Sequence, residues 1–333
     1  MIKIKYIFVI VLMCSSSILL AKSNSVRIAF FPNITHAQAL LGKHTGTFEK
    51  YMGVKVDWKQ FNAGSSEIEA MMAGEIDLGY IGPGPAVNGA IKTCGDIIII
   101  GGATNGGAVL VSRKDIKLNG IKSLFGKKIA VPQFGNTQDL MLRYMLQKNG
   151  LKDTTHGGTV EILQVENPDI KLLFDQRAID AAFLPEPWGS RVIKESNANL
   201  VLDNHQLWQK GQYPTTVIIA RTDFLKKNPD LVQRFINAHV ALTQQLNVKP
   251  DNSKQIINEE IEKLTGKKIS SDIIKSSFKR LTSISTLNIS VITVFTRMAY
   301  DIGFIKKMPD NLNKYINLTF LKNAKNQKPI SKF

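Results

Sequence analysis

"GEIDLGYIGPGP", residues 74–85, closes one pattern and opens another. Gly74 ends a helical period, Leu78-Gly79-Tyr80-Ile81 is an apolar run of strand length, and Gly82-Pro83-Gly84-Pro85 is a turn leading into a new helix. Proline suits the first helical turn, and glycine lets backbone approach a neighbour with no Cβ in the way. "RAIDAAFLPEPW", residues 177–188, repeats the scheme at an offset of 103: Ile-Asp, small and aromatic residues, an apolar residue, a proline-rich turn. Two such units predict two similar lobes, each offering a loop at the carboxyl end of a sheet strand, where ligands of open α/β sheets sit.

The flanking sequence alternates strands and helices. "VRIAFFP" is a strand ending at Pro32, "THAQALLGKHTGTFEKYMG" a helix opening near Thr35 or His36, and "VKVDWKQF" a strand. In "SEIEAMMAGEID", Ser66 with Glu69 three residues on reads as a capping box that starts a helix, with Ile68, Met71 and Met72 on one face. "DIIIIGG" and "GGAVLVSR" are buried-strand candidates. "KKIAVPQFGNTQDLMLRYMLQKNG" is a strand, a turn and a helix capped by Asn136, with Asp139 near its positive end. "TVEILQV" is a strand, and "NPDIKLLFDQ" reads as a helix capped by Asn167 with Pro168 in first position. A later strand runs from Thr215 to Ala220, and 222–305 is mainly helical, with Leu231, Phe235, Ala238 and Leu242 at helical spacing. The alternation is that of an α/β protein. No compositional linker separates the lobes, which fits a chain that crosses over and returns.

The chain of 333 residues has room for two domains. It begins "MIKIKYIFVIVLMCSSSILLAKSNS": charged Lys3 and Lys5, an apolar stretch, then Ala21 at a cleavage point, the pattern of an export signal. Cys14 leaves open a lipid-anchored N-terminus. Cleavage at Ala21 leaves Cys94 as the sole cysteine, so no internal disulfide is available. No later stretch reaches the roughly 18 apolar residues of a membrane span. The formal charge is +16, or +14 without Lys3 and Lys5, but the lysines are scattered, with modest clustering from Lys322 to Lys328. That is a generally basic surface, not a nucleic-acid track.

Glycine-rich turns at Gly82-Pro83-Gly84, Asn105-Gly106-Gly107 and Gly135-Asn136-Thr137 read as helix starts whose free N–H groups favour an anion such as sulfonate, phosphate or carboxylate. None has the Gly-Lys-Ser/Thr of a P-loop or a full dinucleotide fingerprint. His36, His44, His156, His205 and His239 form no HExxH motif and no cysteine pairing, so neither metal nor cofactor is expected. A Gly-x-Ser-x-Gly elbow is absent too. Asp77 and Asp180 read as caps or pairing groups at strand starts. Glu186, between two prolines, either meets a cationic group of a ligand or holds its own loop by accepting N–H bonds. Trp188 either lines an apolar wall or packs under the turn.

Together "FFPNITHAQAL", "FNAGSSEIEAMMAGEIDLGYIGPGPAVNG", "GGATNGGAVLV", "VPQFGNTQDLMLRYML" and "AAFLPEPWGSRVI" resemble the nitrate/sulfonate/taurine-type substrate-binding proteins of ABC importers, from about Val26 to Ile305. The resemblance implies a two-lobed periplasmic-binding-protein fold of type II, each lobe a mixed sheet flanked by helices. It divides the chain into a signal peptide (1–21), one discontinuous lobe (22–112 with 214–305), a second lobe (113–213) and a basic tail (306–333). It implies a monomer that traps a small solute between the lobes and delivers it to an inner-membrane permease and its ATPase, by hinge closure near Val111–Arg113 and Tyr213–Thr216. Carried over residue by residue, it places Asn33, Thr35 and His36 in a first cleft loop, Ser65 and Ser66 in a second, and Gly82, Pro83 and Gly84 in a third; Asn105 and Gly106 join the ligand-binding candidates through their glycine-rich turn. The far lobe adds Asn136, Thr137 and Gln138, then Glu186 and Trp188. Ala178 stands where the family commonly has glycine, and Ser65-Ser66 replace a more usual small or proline pair. Family ligands range over nitrate, bicarbonate, alkanesulfonates, taurine and thiamine-precursor pyrimidines. With no arginine in a cleft loop to clamp a carboxylate, the expected solute is an aliphatic sulfonate, or taurine with its amine at Glu186. A solute-sensing module is a further alternative. The pyrimidine synthases of this fold carry a cysteine-rich run that this chain lacks.

Overall fold

In the computed structural model the strands β1 (Ser25–Phe30), β2 (Lys55–Gln60), β3 (Leu78–Ile81) and β4 (Ile97–Gly106) begin one sheet. Residues 25–208 and 213–325 are described, apart from the side chains at positions 204, 205 and 325. The expected export signal, Cys14, the His205 side chain and the end of the basic tail lie outside them.

The chain then leaves for a second sheet made of β5 (Ala108–Ser112), β6 (Lys128–Val131), β7 (Glu161–Gln164), β8 (Ala181–Pro185) and β9 (Asn199–Leu202). It returns to the first with β10 (Pro214–Arg221) and β11 (Leu281–Ser283). The orders β2-β1-β3-β10-β4 and β7-β6-β8-β5-β9 match position for position, with β11 added at one edge of the first. In both, the first three strands are parallel and the next two pair antiparallel. The 103-residue repeat is thus a repeat of architecture, and β3 and β8, the two strands it contains, are buried along their whole length. Burial on both faces is why they read as unbroken apolar runs.

Helices α1 (Ala37–Thr45), α2 (Thr47–Met52), α3 (Gly64–Met72) and α4 (Pro83–Lys92) follow the strands of the first sheet. Helices α5 (Thr137–Lys148), α6 (Ile170–Asp175) and α7 (Trp188–Glu195) follow those of the second. After α8 (Asn204–Leu207) and α9 (Thr222–Lys227), the C-terminal part supplies α10 (Pro229–Val248), α11 (Pro250–Thr265), α12 (Ser271–Phe278), α13 (Ile289–Asp301) and α14 (Thr319–Lys325). The apolar stripe of α10 buries Leu231, Phe235, Ala238 and Leu242, as their spacing predicts.

Local chemistry departs from the sequence reading in four places. The capping box at Ser66 does not form, because α3 starts three residues earlier. Ala63 is its N-cap, the Ser66 hydroxyl donates back to Ala63 O at 3.1 Å, and Gln133 Oε1 of the other lobe accepts from the N–H groups of Ser65 and Ser66 at 3.1 and 3.3 Å. Asn167 caps nothing: a 3₁₀ turn, Asn167–Asp169, precedes α6, and the Asp169 N–H goes to Glu166 O at 3.0 Å. Asn105-Gly106-Gly107 starts no helix; it is the first passage between the sheets. Gly106 (φ 76°) and Gly107 (φ 79°) turn the chain in the left-handed region, which costs glycine nothing, so Val111 to Ser112 lie inside β5 and not at the passage. The edge strands β9 and β11, only four and three residues long and partly exposed, are too short to stand out in sequence. The Asn136 cap does form: its Oδ1 accepts from Asp139 N, and Asp139 Oδ2 accepts in return from Gly135 N, both at 2.8 Å. Asp77 pairs with Arg27 and Arg221, and Asp180 accepts from Lys128 N.

Candidate ligand-binding cleft

The carboxyl ends of β1, β2 and β3 face those of β6, β7 and β8, and the turns that follow them line one cleft. Asn33, Thr35 and His36 come from the turn after β1, Asn62, Ala63 and Gly64 from that after β2, and Gly82 and Pro85 from that after β3. The second lobe contributes Pro132, Asn136, Thr137 and Gln138 after β6, Asn167 after β7 and Pro185 at the end of β8; Phe31 and Thr215 complete the wall. These positions lie at or next to helix starts, where N–H groups lack intrahelical partners and the macrodipole is positive. Among the described residues no charged side chain lines the cleft. The arrangement attracts an anion through neutral donors.

Internal hydrogen bonds determine which atoms those donors are. Phe31 N donates to His36 Nδ1 at 3.2 Å, so the neutral ring carries its proton on Nε2. Burial lowers the His36 pKa to about 3 and keeps the ring neutral. Trp188 Nε1 donates to Asn33 Oδ1 at 2.8 Å, which leaves the Asn33 Nδ2 group uncommitted. Asn136 Nδ2 donates to Gln138 Oε1 at 3.1 Å and so leaves Gln138 its own Nε2. Three neutral N–H donors, His36 Nε2, Asn33 Nδ2 and Gln138 Nε2, are thereby fixed by their neighbours.

The lobes touch across the cleft. Gly84 N donates to Thr137 Oγ1 at 3.1 Å, joining the starts of α4 and α5, and Asn62 Nδ2 donates to Pro132 O at 3.0 Å. A Cβ on Gly82 would overlap the Thr137 hydroxyl, and one on Gly84 would lie 3.1 Å from Thr137 Cα. The enclosed space is about 20 Å³, on the scale of one or two water molecules. With the lobes in this arrangement, nothing larger than a water molecule or two fits there.

Asn33, Thr35, His36, Gly82, Asn136, Thr137 and Gln138 are brought together here; the other predicted site residues stand elsewhere. Ser65 and Ser66 serve the contact between lobes, with Ser65 Oγ on Phe134 O at 2.7 Å. Pro83 and Gly84 belong to the first turn of α4, and Asn105 and Gly106 to β4 and the passage after it. The Glu186 carboxylate is fully buried and spent on holding the start of α7 and the end of α12: it accepts from Ser190 N and Oγ at 2.8 and 3.0 Å, from Ser277 Oγ at 3.1 Å and from Arg280 at 3.2 Å. Burial raises its pKa, and the Arg280 guanidinium opposes the rise. Trp188 is packed under the turn with its indole N–H on Asn33. Asn62, Asn167 and Thr215 were not legible as lining residues, although Asn62 and Asn167 do stand in strand-to-helix turns. Among the described residues no cluster of histidine, cysteine, aspartate or glutamate could hold a metal ion, and no helix is long and apolar enough to cross a membrane.

Two mixed sheets facing each other across a cleft of helix starts define the periplasmic-binding-protein fold. Solved structures with this fold include the alkanesulfonate-binding protein SsuA from Xanthomonas axonopodis pv. citri bound to MOPS, with a TM-score of 0.74 and 18% identity over 90% of this chain and 100% of that one. The periplasmic nitrate-binding protein NrtA from Synechocystis PCC 6803 superposes with a TM-score of 0.72 and 16% identity over 90% of this chain and 88% of that one. The chain belongs to the NMT1-like family, whose model matches residues 20–259. Its relatives include the taurine-binding periplasmic protein of Escherichia coli K12, 28% identical over 232 residues that cover 69% of each chain.

Proposed function

We propose that this chain is the solute-capturing component of an ABC-type importer, exported to the periplasm, which holds a small organic anion, an aliphatic sulfonate or taurine, between its lobes and hands it to a membrane permease served by an ATPase. The observation that carries this reading is the convergence of helix starts on a cleft with no formal charge. A sulfonate is ionised at every physiological pH and spreads its charge over three oxygens, so several neutral N–H donors suit it without an arginine fork. The taurine-binding relative supports the same class of solute. The chain is read as a binding protein and not an enzyme. Closure turns on the passage at Gly106–Gly107 and the return before β10, and the ligand favours the closed form by binding it better.

The narrow closed space favours a second reading, an anion of nitrate size. Calorimetric titration of residues 22–333 with taurine, ethanesulfonate, hexanesulfonate, nitrate, bicarbonate and an aminopyrimidine separates the two. Micromolar binding of sulfonates is the expected result, and binding of nitrate alone favours the second reading. Binding of the pyrimidine alone, or of none, defeats both.

A further inference from the structure

We infer that Asn167 determines which sulfonate is held, by accepting a hydrogen bond from a donor group on the ligand's organic arm; this rests on the importer reading above. Asn167 lines the cleft and is 3% exposed, yet its Oδ1 has no hydrogen-bond partner. Buried polar atoms are otherwise almost always paired. The side chain is not needed where it stands: the turn it begins is closed by the backbone bond from Asp169 N to Glu166 O, and no cap bond forms.

The side-chain oxygens of Asn33, Asn136 and Gln138 beside it are committed. Asn33 Oδ1 accepts from Trp188, Asn136 Oδ1 from Asp139 N, and Gln138 Oε1 from Asn136. Asn62, which follows β2 as Asn167 follows β7, donates to Pro132 O. Of the described lining residues, Asn167 alone has a buried side-chain oxygen without a partner. The cleft thus combines several donors with one fully buried acceptor that has no partner.

A sulfonate group offers only acceptors, so a plain alkanesulfonate satisfies the donors and leaves Asn167 bare. A short sulfonate bearing an ammonium or a hydroxyl satisfies both. A site with a buried polar group rejects the analogue that cannot pair with it far more strongly than an apolar pocket rejects a missing methylene. The preferred class is therefore the amino- or hydroxy-substituted short sulfonates.

The test is calorimetric titration of the wild type, Asn167→Leu and Asn167→Asp with taurine, 2-hydroxyethanesulfonate and ethanesulfonate. The wild type should bind the first two at least about tenfold more tightly than ethanesulfonate. Asn167→Leu should shrink that ratio to within about threefold by weakening the donor-bearing ligands selectively. Asn167→Asp should widen the ratio of taurine to ethanesulfonate, because a carboxylate there pairs with the ammonium and repels the plain anion. Equal affinity of the wild type for ethanesulfonate and taurine, or an Asn167→Leu effect equal for all three, overturns the assignment while leaving the importer reading intact. Binding of none of the three overturns both.

Discussion

Gly84 is the position where closure of the lobes can be opposed without touching the solute. Its N–H reaches Thr137 Oγ1 at 3.1 Å, and a Cβ built there lies 3.1 Å from Thr137 Cα and 3.4 Å from Thr137 N, backbone atoms of the other lobe. Alanine requires the two helix starts to give by a few tenths of an ångström. Valine adds γ carbons about 1.5 Å farther out, which meet backbone that cannot rotate away. Overpacking of this kind costs about 1–3 kcal/mol, and the lost hydrogen bond adds about 1 kcal/mol. The whole cost falls on the closed form. Since apparent affinity scales with the population of the competent state, Gly84→Val should weaken sulfonate binding by roughly 30- to 900-fold, with Gly84→Ala at or below the low end. In the open form alanine replaces glycine in the first turn of α4, which is neutral or stabilising by up to about 1 kcal/mol. The signature is a melting midpoint without ligand that stays or rises while affinity, by calorimetry, falls. A folded Gly84→Val variant within twofold of wild-type affinity would refute the closure argument.

With His36 held neutral by burial, at a pKa of about 3, sulfonate affinity should change less than about twofold between pH 5 and 8; affinity that climbs as pH falls through 6.5 would show a cationic clamp instead. Glu67 is fully buried with neither carboxylate oxygen partnered, and burial pushes its pKa well above the usual value. Its contribution to stability is full below the unfolded carboxyl pKa of about 4.3 and is lost as pH rises from there through the folded value. Glu67→Gln, which takes up no proton, should therefore gain on the wild type as pH rises, by up to about 1.4 kcal/mol per pH unit between the unfolded and folded values. Urea midpoints of the two proteins that run parallel from pH 5 to 8 would count against a buried neutral acid.

Features encoded within a few residues could be read from sequence: the Asn136 cap, the buried runs of β3 and β8 and the 103-residue repeat of strand, turn and helix. Features that depend on distant partners could not. Glu186 offered two readings in sequence because its partners Ser277 and Arg280 lie about ninety residues away on and beside α12. Ser66 looked like a cap because nothing local reveals that Gln133, from the other lobe, supplies the acceptor for α3. Asn167 looked like a cap for a similar reason: the backbone closes its turn, and only the fold shows the amide left over in the cleft. The lining of the cleft was therefore legible in its glycine and asparagine turns, and much less so in which atom of each side chain remains to be used.

The meeting of α4 and α5 at Gly84 and Thr137 has one more consequence. Two helix starts, each carrying roughly half a positive charge, are brought face to face when the lobes shut, and like ends repel. Under the proposed function, a negative solute held in the cleft beside them offsets that repulsion and so favours shutting. On that reading charge couples capture to closure: without the anion, the two helix ends oppose shutting.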